Sequence, residues 1–232
     1  MNIQGIQKLT LLDYPGKTSC TVFTGVCNFR CPFCHNASLV LNPNENNPFS
    51  DDVFFEFLDS RKKLLDGVSI TGGEPLLQKD IADFCGKVKE RGFSVKLDTN
   101  GSFPDILSGL IADGLVDYVA MDIKNSFSSY CKTVGLSEMD FDSLKKSISV
   151  LLKSGIDFEF RTTVVKELHS IDDFYEIADM IKGAPRYFLQ SFRPAENQIG
   201  AGLTEPSYAF LRQAADLMIS QGIDTEIRGI DN

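Results

Sequence analysis

The residues best suited to chemistry crowd into one short stretch, Cys27-Asn28-Phe29-Arg30-Cys31-Pro32-Phe33-Cys34-His35. Three thiolates at gaps of three and two residues can wrap one face of a cubane iron–sulfur cluster. A cluster that only carries electrons normally takes four thiolates. Three leave one iron with an open position, where a substrate can bind as it does at a catalytic zinc. Cys27, Cys31 and Cys34 are therefore the candidate metal ligands and the candidate catalytic centre. Two plainer readings stand beside this one: a structural zinc site, which wants four closed ligands, and a plain redox cluster. For either, the fourth ligand is hard to find. Adjacent residues such as Cys34 and His35 rarely reach one metal together, and Cys20 lies back inside an expected strand. Cys20, Cys85 and Cys131 are scattered, as small buried hydrophobes are.

The pattern around that stretch says what must hold it. From about residue 19 onward, short β-rich runs alternate with amphipathic helical stretches. Strands are expected at 19–25, 67–73, 93–99, 115–124, 157–165, 185–192 and 225–229. Helices are expected after a Ser50 N-cap with Asp51 and Asp52 in the first turn, over 79–91 up to Gly92, and near 105–113. Others run through Leu144, Ile148, Leu151 and Leu152 up to Gly155, from a Ser170/Asp173 capping-box variant, and from Thr204. The Asn/Pro-rich stretch 42–48 can only be loop. Strand–helix repeats of this kind predict parallel strands joined by crossover helices. Such sheets put their sites at the carboxyl ends of the strands. There the unusual residues collect. The cysteines follow the first expected strand, Thr71-Gly72-Gly73-Glu74-Pro75 ends the second, Asp98-Thr99-Asn100-Gly101 the third and Asp122-Ile123-Lys124 the fourth. Arg161 lies within the fifth, and Phe192-Arg193-Pro194 ends the sixth. Residues 1–18 read as an extension or hairpin containing an Asp13-Tyr14-Pro15-Gly16 turn, and no linker marks a second domain.

Composition narrows the partners. The 232 residues carry 23 Lys plus Arg against 32 Asp plus Glu, a formal charge of −9. Neutralising phosphates needs the opposite sign, so no nucleic-acid partner is expected. No apolar run approaches the roughly 20 residues of a membrane span, and the N-terminus does not read as a secretory signal. Clustered rather than evenly spread cysteines suit a reducing, cytoplasmic setting.

The spacing Cys-x3-Cys-x2-Cys, with Phe33 before the last cysteine, resembles the radical S-adenosylmethionine superfamily, and Gly72-Gly73-Glu74-Pro75 is similar to its second hallmark. The longer stretch from Gly5 to Asn36 (GIQKLTLLDYPGK…CNFRCPFCHN) resembles the activating enzymes of glycyl radical enzymes. Among them it is most similar to the anaerobic ribonucleoside-triphosphate reductase activating proteins of the pyruvate formate-lyase-activase-like subtype. The resemblance implies a single α/β domain, a partial (β/α)6 barrel with parallel strands and outer helices. It implies a [4Fe–4S] cluster on Cys27, Cys31 and Cys34, with the amine and carboxylate of S-adenosyl-L-methionine chelating the fourth iron. Phe33 and His35 would pass the adenine. Gly72, Gly73 and Glu74 would meet the cofactor's amine through their backbone, the missing Cβ atoms permitting close approach. Asp98, Thr99 and Asp122 are similar to an acidic rim that holds a monovalent cation beside the cofactor carboxylate. Lys124 and Arg161 match cationic positions near the ribose and carboxylate; an ion-pair network at the strand ends is their plainer reading. Two departures stand out. Where the pyruvate formate-lyase activase has a cofactor-contacting histidine after its sixth strand, this chain has Phe192-Arg193. Between Cys34 and Gly72 there is no second cysteine set, so the ferredoxin-like insert of several other activases is missing.

The activity implied is reductive cleavage of S-adenosylmethionine to a 5′-deoxyadenosyl radical, which takes a hydrogen from a glycine of a partner glycyl radical enzyme. Anaerobic ribonucleoside-triphosphate reductase is the expected partner, and a low-potential donor such as flavodoxin or ferredoxin would reduce the cluster. Asp13-Tyr14-Pro15-Gly16 resembles the family's Asp-x-Pro-Gly turn that faces the partner, or is an ordinary Pro-Gly turn. The alternatives are a pyruvate formate-lyase-like partner, a small molecule or peptide as the radical's target, or a non-catalytic iron–sulfur module for sensing or electron delivery.

Overall fold

Residues 1–42 and 49–230 are described by the computed structural model, so most of the expected 42–48 loop lies outside the described residues. By their contacts the residues divide into two compact units, one holding 1–28, 36–99 and 105–119, the other 29–35, 100–104 and 120 onward.

In the first unit, strand β1 (Ile3–Thr10) runs antiparallel to β2 (Ser19–Thr24). Strand β2 pairs in parallel with β3 (Gly67–Gly72), Ser19 opposite Gly67 and Thr24 opposite Gly72, and β3 with β4 (Ser94–Thr99). Helices α1 (Ala37–Leu41), α2 (Asp51–Asp59) and α3 (Ile81–Glu90) supply the connections, and α4 (Pro104–Ala112) leads to β5 (Tyr118–Asp122). Phe54, Phe55 and Phe84 pack ring against ring at 5.1–5.3 Å between α2 and α3, burying the apolar faces of those helices. The N-cap expected at Ser50 is present, its Oγ accepting the Val53 N–H.

The Asp13–Gly16 turn lies at the amino ends of the strands. Tyr14 is 2% exposed, with its ring 6.0 Å from that of Tyr118. Asp13 accepts a bond from Thr21, and Lys17 donates to Ser94. The turn therefore closes the strand ends opposite those that carry Gly72 and Thr99.

Strand β5 begins in the first unit and ends in the second. There Ile123 N–H, just past β5, donates to the Arg161 carbonyl of β6 (Asp157–Val164). Strand β6 pairs in parallel with β7 (Tyr187–Ser191), and β7 with β8 (Thr225–Arg228). Helices α5 (Phe127–Val134), α6 (Phe141–Lys153), α7 (Ile171–Met180) and α8 (Tyr208–Ser220) connect them. The Ser170/Asp173 start of α7 holds: the Ser170 amide and hydroxyl both donate to Asp173 Oδ2.

Two expectations need correction. Helix α8 does not open at Thr204. Its N-cap is Ser207, which accepts the Phe210 N–H, while Thr204 N–H donates to Glu167. Either residue type can cap, and Pro206 directly before Ser207 disfavours helical backbone at Glu205. Helix α5 was not foreseen, because its Ser, Cys, Thr and Val content carries weak helix propensity.

Candidate active site

The candidate residues sit where strands end, and in the first unit backbone governs their geometry. Val26 N–H donates to the Leu39 carbonyl, Gly73 N–H to Thr24 and Glu74 N–H to Val26. A Cβ on Gly73 would stand 1.9 Å from the Val26 oxygen, and one on Gly72, whose φ is +114, would stand 2.4 Å from Thr24 backbone atoms. The space left by the missing Cβ atoms thus takes the chain leading into Cys27. Val26 itself holds φ at 70, a left-handed conformation that β-branched residues rarely adopt. Asn36 donates to the Gly72 carbonyl at 3.0 Å, fixing the other end of the cysteine segment. The Glu74 side chain is fully buried and accepts from the Leu76 amide at 3.1 Å and the Thr99 hydroxyl at 2.8 Å. Asp98 pairs with the buried Lys96.

In the second unit, residues 29–35 are held by helix ends and by rings. Arg30 N–H donates to the Val134 carbonyl at the end of α5, and Gly200 N–H to the Pro32 carbonyl at 2.7 Å. Gly135 and Gly200 lie so close that a Cβ would reach Arg30 or Pro32 at 2.4 and 2.6 Å. Phe33 packs edge-on against Phe192. The His35 ring lies 5.7 Å from that of Phe192, and its Nε2 is 2.7 Å from the Arg193 carbonyl. Phe192 and Arg193 thus hold His35, the first by a tilted ring contact and the second by a main-chain bond.

Around Cys31 the chemistry is ionic. Lys124 Nζ is 2.8 Å from Asp122 and 5.9 Å from the Phe33 ring centre, and Arg161 Nε is 3.0 Å from the other Asp122 oxygen. Burial alone would raise the Asp122 carboxyl, but Arg161 and Lys124 outweigh it and hold it down to about 2. Burial alone would lower the Lys124 ammonium; the charges of Asp122 and Cys31 overcome it and raise it instead.

All six thiols are free. Cys20 and Cys85 are fully buried, and desolvation pushes both thiols up to about 12, so they behave as the small hydrophobes expected. Cys27 and Cys34 are partly exposed and Cys31 is buried beside Lys124. Among the described residues no three His, Cys, Asp or Glu side chains converge on a single ion; a cubane instead spreads its thiolates over different irons. Cys27, Cys31 and Cys34 are free thiols of the donor type an iron–sulfur cluster takes; Cys131, expected to be buried like Cys20 and Cys85, is instead partly exposed. Sequence reasoning missed Val26, Gly135, Gly200, Tyr130 and His169, whose parts are backbone conformation, close approach or long-range hydrogen bonds.

Residues 21–181 match the Radical SAM superfamily. The chain belongs to that superfamily and is a radical S-adenosylmethionine enzyme; the family implies a [4Fe–4S] cluster and S-adenosylmethionine. It is 36% identical over 202 residues to a Methanocaldococcus jannaschii protein provisionally named a glycyl-radical enzyme activating enzyme, covering 84% of this chain and 81% of that one. It is 28% identical over 191 residues to the pyruvate formate-lyase-activating enzyme of Clostridium pasteurianum, covering 78% and 76%. A domain of the pyruvate-formate lyase-activating enzyme from Bacteroides vulgatus superposes with a TM-score of 0.57 at 16% identity, over 70% of this chain and 99% of that one. Streptococcus suis SuiB bound to S-adenosylmethionine does so at 0.67 and 18%, over 88% and 48%. These structures bear out the expected α/β fold with a parallel sheet and partial barrel.

Proposed function

We propose that this chain, carrying its cluster on Cys27, Cys31 and Cys34, activates a glycyl radical enzyme by removing hydrogen from one of that enzyme's glycines. The observation that carries this reading is the similarity, over more than four fifths of both chains, to a protein named as such an activator. When bound, the reduced cluster supplies the electron that cleaves S-adenosylmethionine to methionine and a 5′-deoxyadenosyl radical. The chain's own residues bind, orient and shield. Lys124 and Arg161 balance the cofactor's carboxylate, the Gly72–Glu74 backbone meets its amine, and Phe33 with His35 flanks the adenine. The resemblance assigns Asp98 and Thr99 of the first unit and Asp122 of the second to an acidic rim. A monovalent cation there would compete with Lys96 for Asp98 and with Lys124 for Asp122.

Anaerobic ribonucleoside-triphosphate reductase is the partner we favour, on the Gly5–Asn36 resemblance. The Clostridium relative supports a formate-lyase-like partner as the second reading. A flavodoxin or ferredoxin is the donor such chemistry calls for. Six free thiols suit a cytoplasmic setting, and among the described residues no helix is long and apolar enough to cross a membrane.

Anaerobically reconstituted, dithionite-reduced protein should release methionine and 5′-deoxyadenosine from S-adenosylmethionine. Cys31→Ala should abolish that release, whereas Cys85→Ala should keep it. A glycyl doublet in the electron-spin-resonance spectrum should appear on the reductase after mixing. Unchanged turnover by Cys31→Ala would reject the cluster assignment, and cleavage without a doublet on either candidate would reject the partner class.

A further inference from the structure

The chain has two histidines, and the second, His169, lies 6% exposed in the turn between β6 and α7. Val165 N–H donates to its Nδ1 at 3.1 Å, and its Nε2 lies 3.0 Å from the Lys124 carbonyl. The Val165 carbonyl already accepts the His169 amide. The neutral tautomer with its proton on Nε2 therefore satisfies both ring nitrogens. Burial lowers the imidazole's affinity for a second proton, which keeps the ring in that neutral form. Tyr130 holds the opposite side of the same residue, its hydroxyl oxygen accepting the Lys124 N–H at 3.2 Å. Asn125, next in the chain, donates to Thr133 and to the Leu168 carbonyl at 2.8 and 2.9 Å. Both peptide groups of Lys124 are thus fixed, and His169 ties the exit of β5, which carries Lys124, to the exit of β6, the strand of Arg161.

We propose that His169 and Tyr130 are positioning residues for the S-adenosylmethionine site, clamping the Lys124 main chain so that its ammonium is preset beside Asp122, Cys31 and Phe33. The clamp rests on the cofactor role given to Lys124 above. It acts on affinity rather than on bond cleavage, because it spares the cofactor the cost of ordering that side chain.

The test separates the clamp from simple packing. His169→Phe keeps the ring that stacks on Phe174 at 6.1 Å and removes both hydrogen bonds. Tyr130→Phe removes the hydroxyl alone. Two quantities are read on reconstituted protein without partner: the KM and kcat of S-adenosylmethionine cleavage, and the midpoint of the cofactor-induced change in the reduced cluster's spin-resonance spectrum. His169→Phe is expected to raise KM and midpoint about tenfold with kcat within about twofold, and Tyr130→Phe to raise both about threefold. His169→Gln, whose side-chain amide can still donate to the Lys124 carbonyl, should recover most of the lost affinity. If KM and midpoint stay at wild-type values in both Phe variants while only thermal stability falls, the clamp is overturned. It is equally overturned if His169→Gln is as impaired as His169→Phe. Should His169→Phe fail to fold, Tyr130→Phe and His169→Gln decide alone. A wild-type protein that neither binds nor cleaves S-adenosylmethionine would instead reject the functional reading, and the clamp with it.

Discussion

Where β2 and β3 end, in the first unit, backbone lies against backbone. Gly72 and Gly73 receive the Thr24 and Val26 main chain at distances that exclude any side chain, and the hydrogen bonds between them are all amide to carbonyl. Where β5 and β6 end, in the second unit, charge lies against charge. Asp122 is gripped by Lys124 and Arg161 while all three side chains are at most a quarter exposed. The two exits answer to different physics. Steric docking is set by atomic radii and does not depend on proton activity. An ion network is set by Coulomb attraction in a poorly hydrated place, and it fails when one member loses its charge. The first exit should therefore be intolerant of volume and the second intolerant of charge change.

Adding one carbon to the first exit is the harshest break. Gly73→Ala is expected to cost about 3 kcal/mol or more, the upper range for overpacking, because the obstructing atoms are main chain and cannot rotate away. Urea or thermal unfolding reads the loss, which should be similar at every pH between 3 and 8. An alanine variant as stable as the parent would remove the steric account of this exit.

Asp122→Asn preserves shape in the second exit and removes charge, leaving Lys124 and Arg161 facing each other. The depressed carboxyl corresponds to about 2 kcal/mol of stabilisation at neutral pH, and roughly that much should vanish. The acid limb distinguishes this variant from Gly73→Ala. Folded Asp122 has its pKa held at about 2, against 3.8 for the unconstrained group. Near those values the unfolded chain therefore binds the extra proton first. Its contribution is complete above about pH 4 and drains away as pH falls towards about 2. The asparagine variant should lose stability less steeply across that window. An acid limb of unchanged slope would mean that the network contributes nothing measurable.

The same contrast explains what the sequence could reveal. Asp122 and Lys124 were legible because charged residues at an expected strand end call for partners, and Asp122 finds Lys124 and, within β6, Arg161. The parallel strands and most helix starts were legible for a similar reason, since period and capping residues act locally. Gly72 and Gly73 were legible as positions needing close approach, but their type does not say what approaches; in the fold it is the chain before Cys27. Val26 gives no signal at all, because valine in a run such as TVFTGV reads as strand. His169 looks like any helix-preceding histidine until Lys124, 45 positions earlier, is folded against it. Contacts made across such separations follow from tertiary packing, which periodicity does not encode.

The mildest perturbation reverses the sign of the first. Val26 adopts φ of 70 with its side chain 39% exposed, so it pays the steric penalty of the left-handed region while burying little in return. That conformation costs a β-branched residue roughly 1–2 kcal/mol. Glycine at this position removes the penalty but loses more chain entropy on folding, by roughly 0.5–1 kcal/mol. Val26→Gly should accordingly raise stability by about 0.5–1 kcal/mol, seen as a higher denaturant midpoint with an unchanged slope. A lower midpoint would show that the valine methyls pack well enough to outweigh the strain, and that the first exit is held by side chains after all.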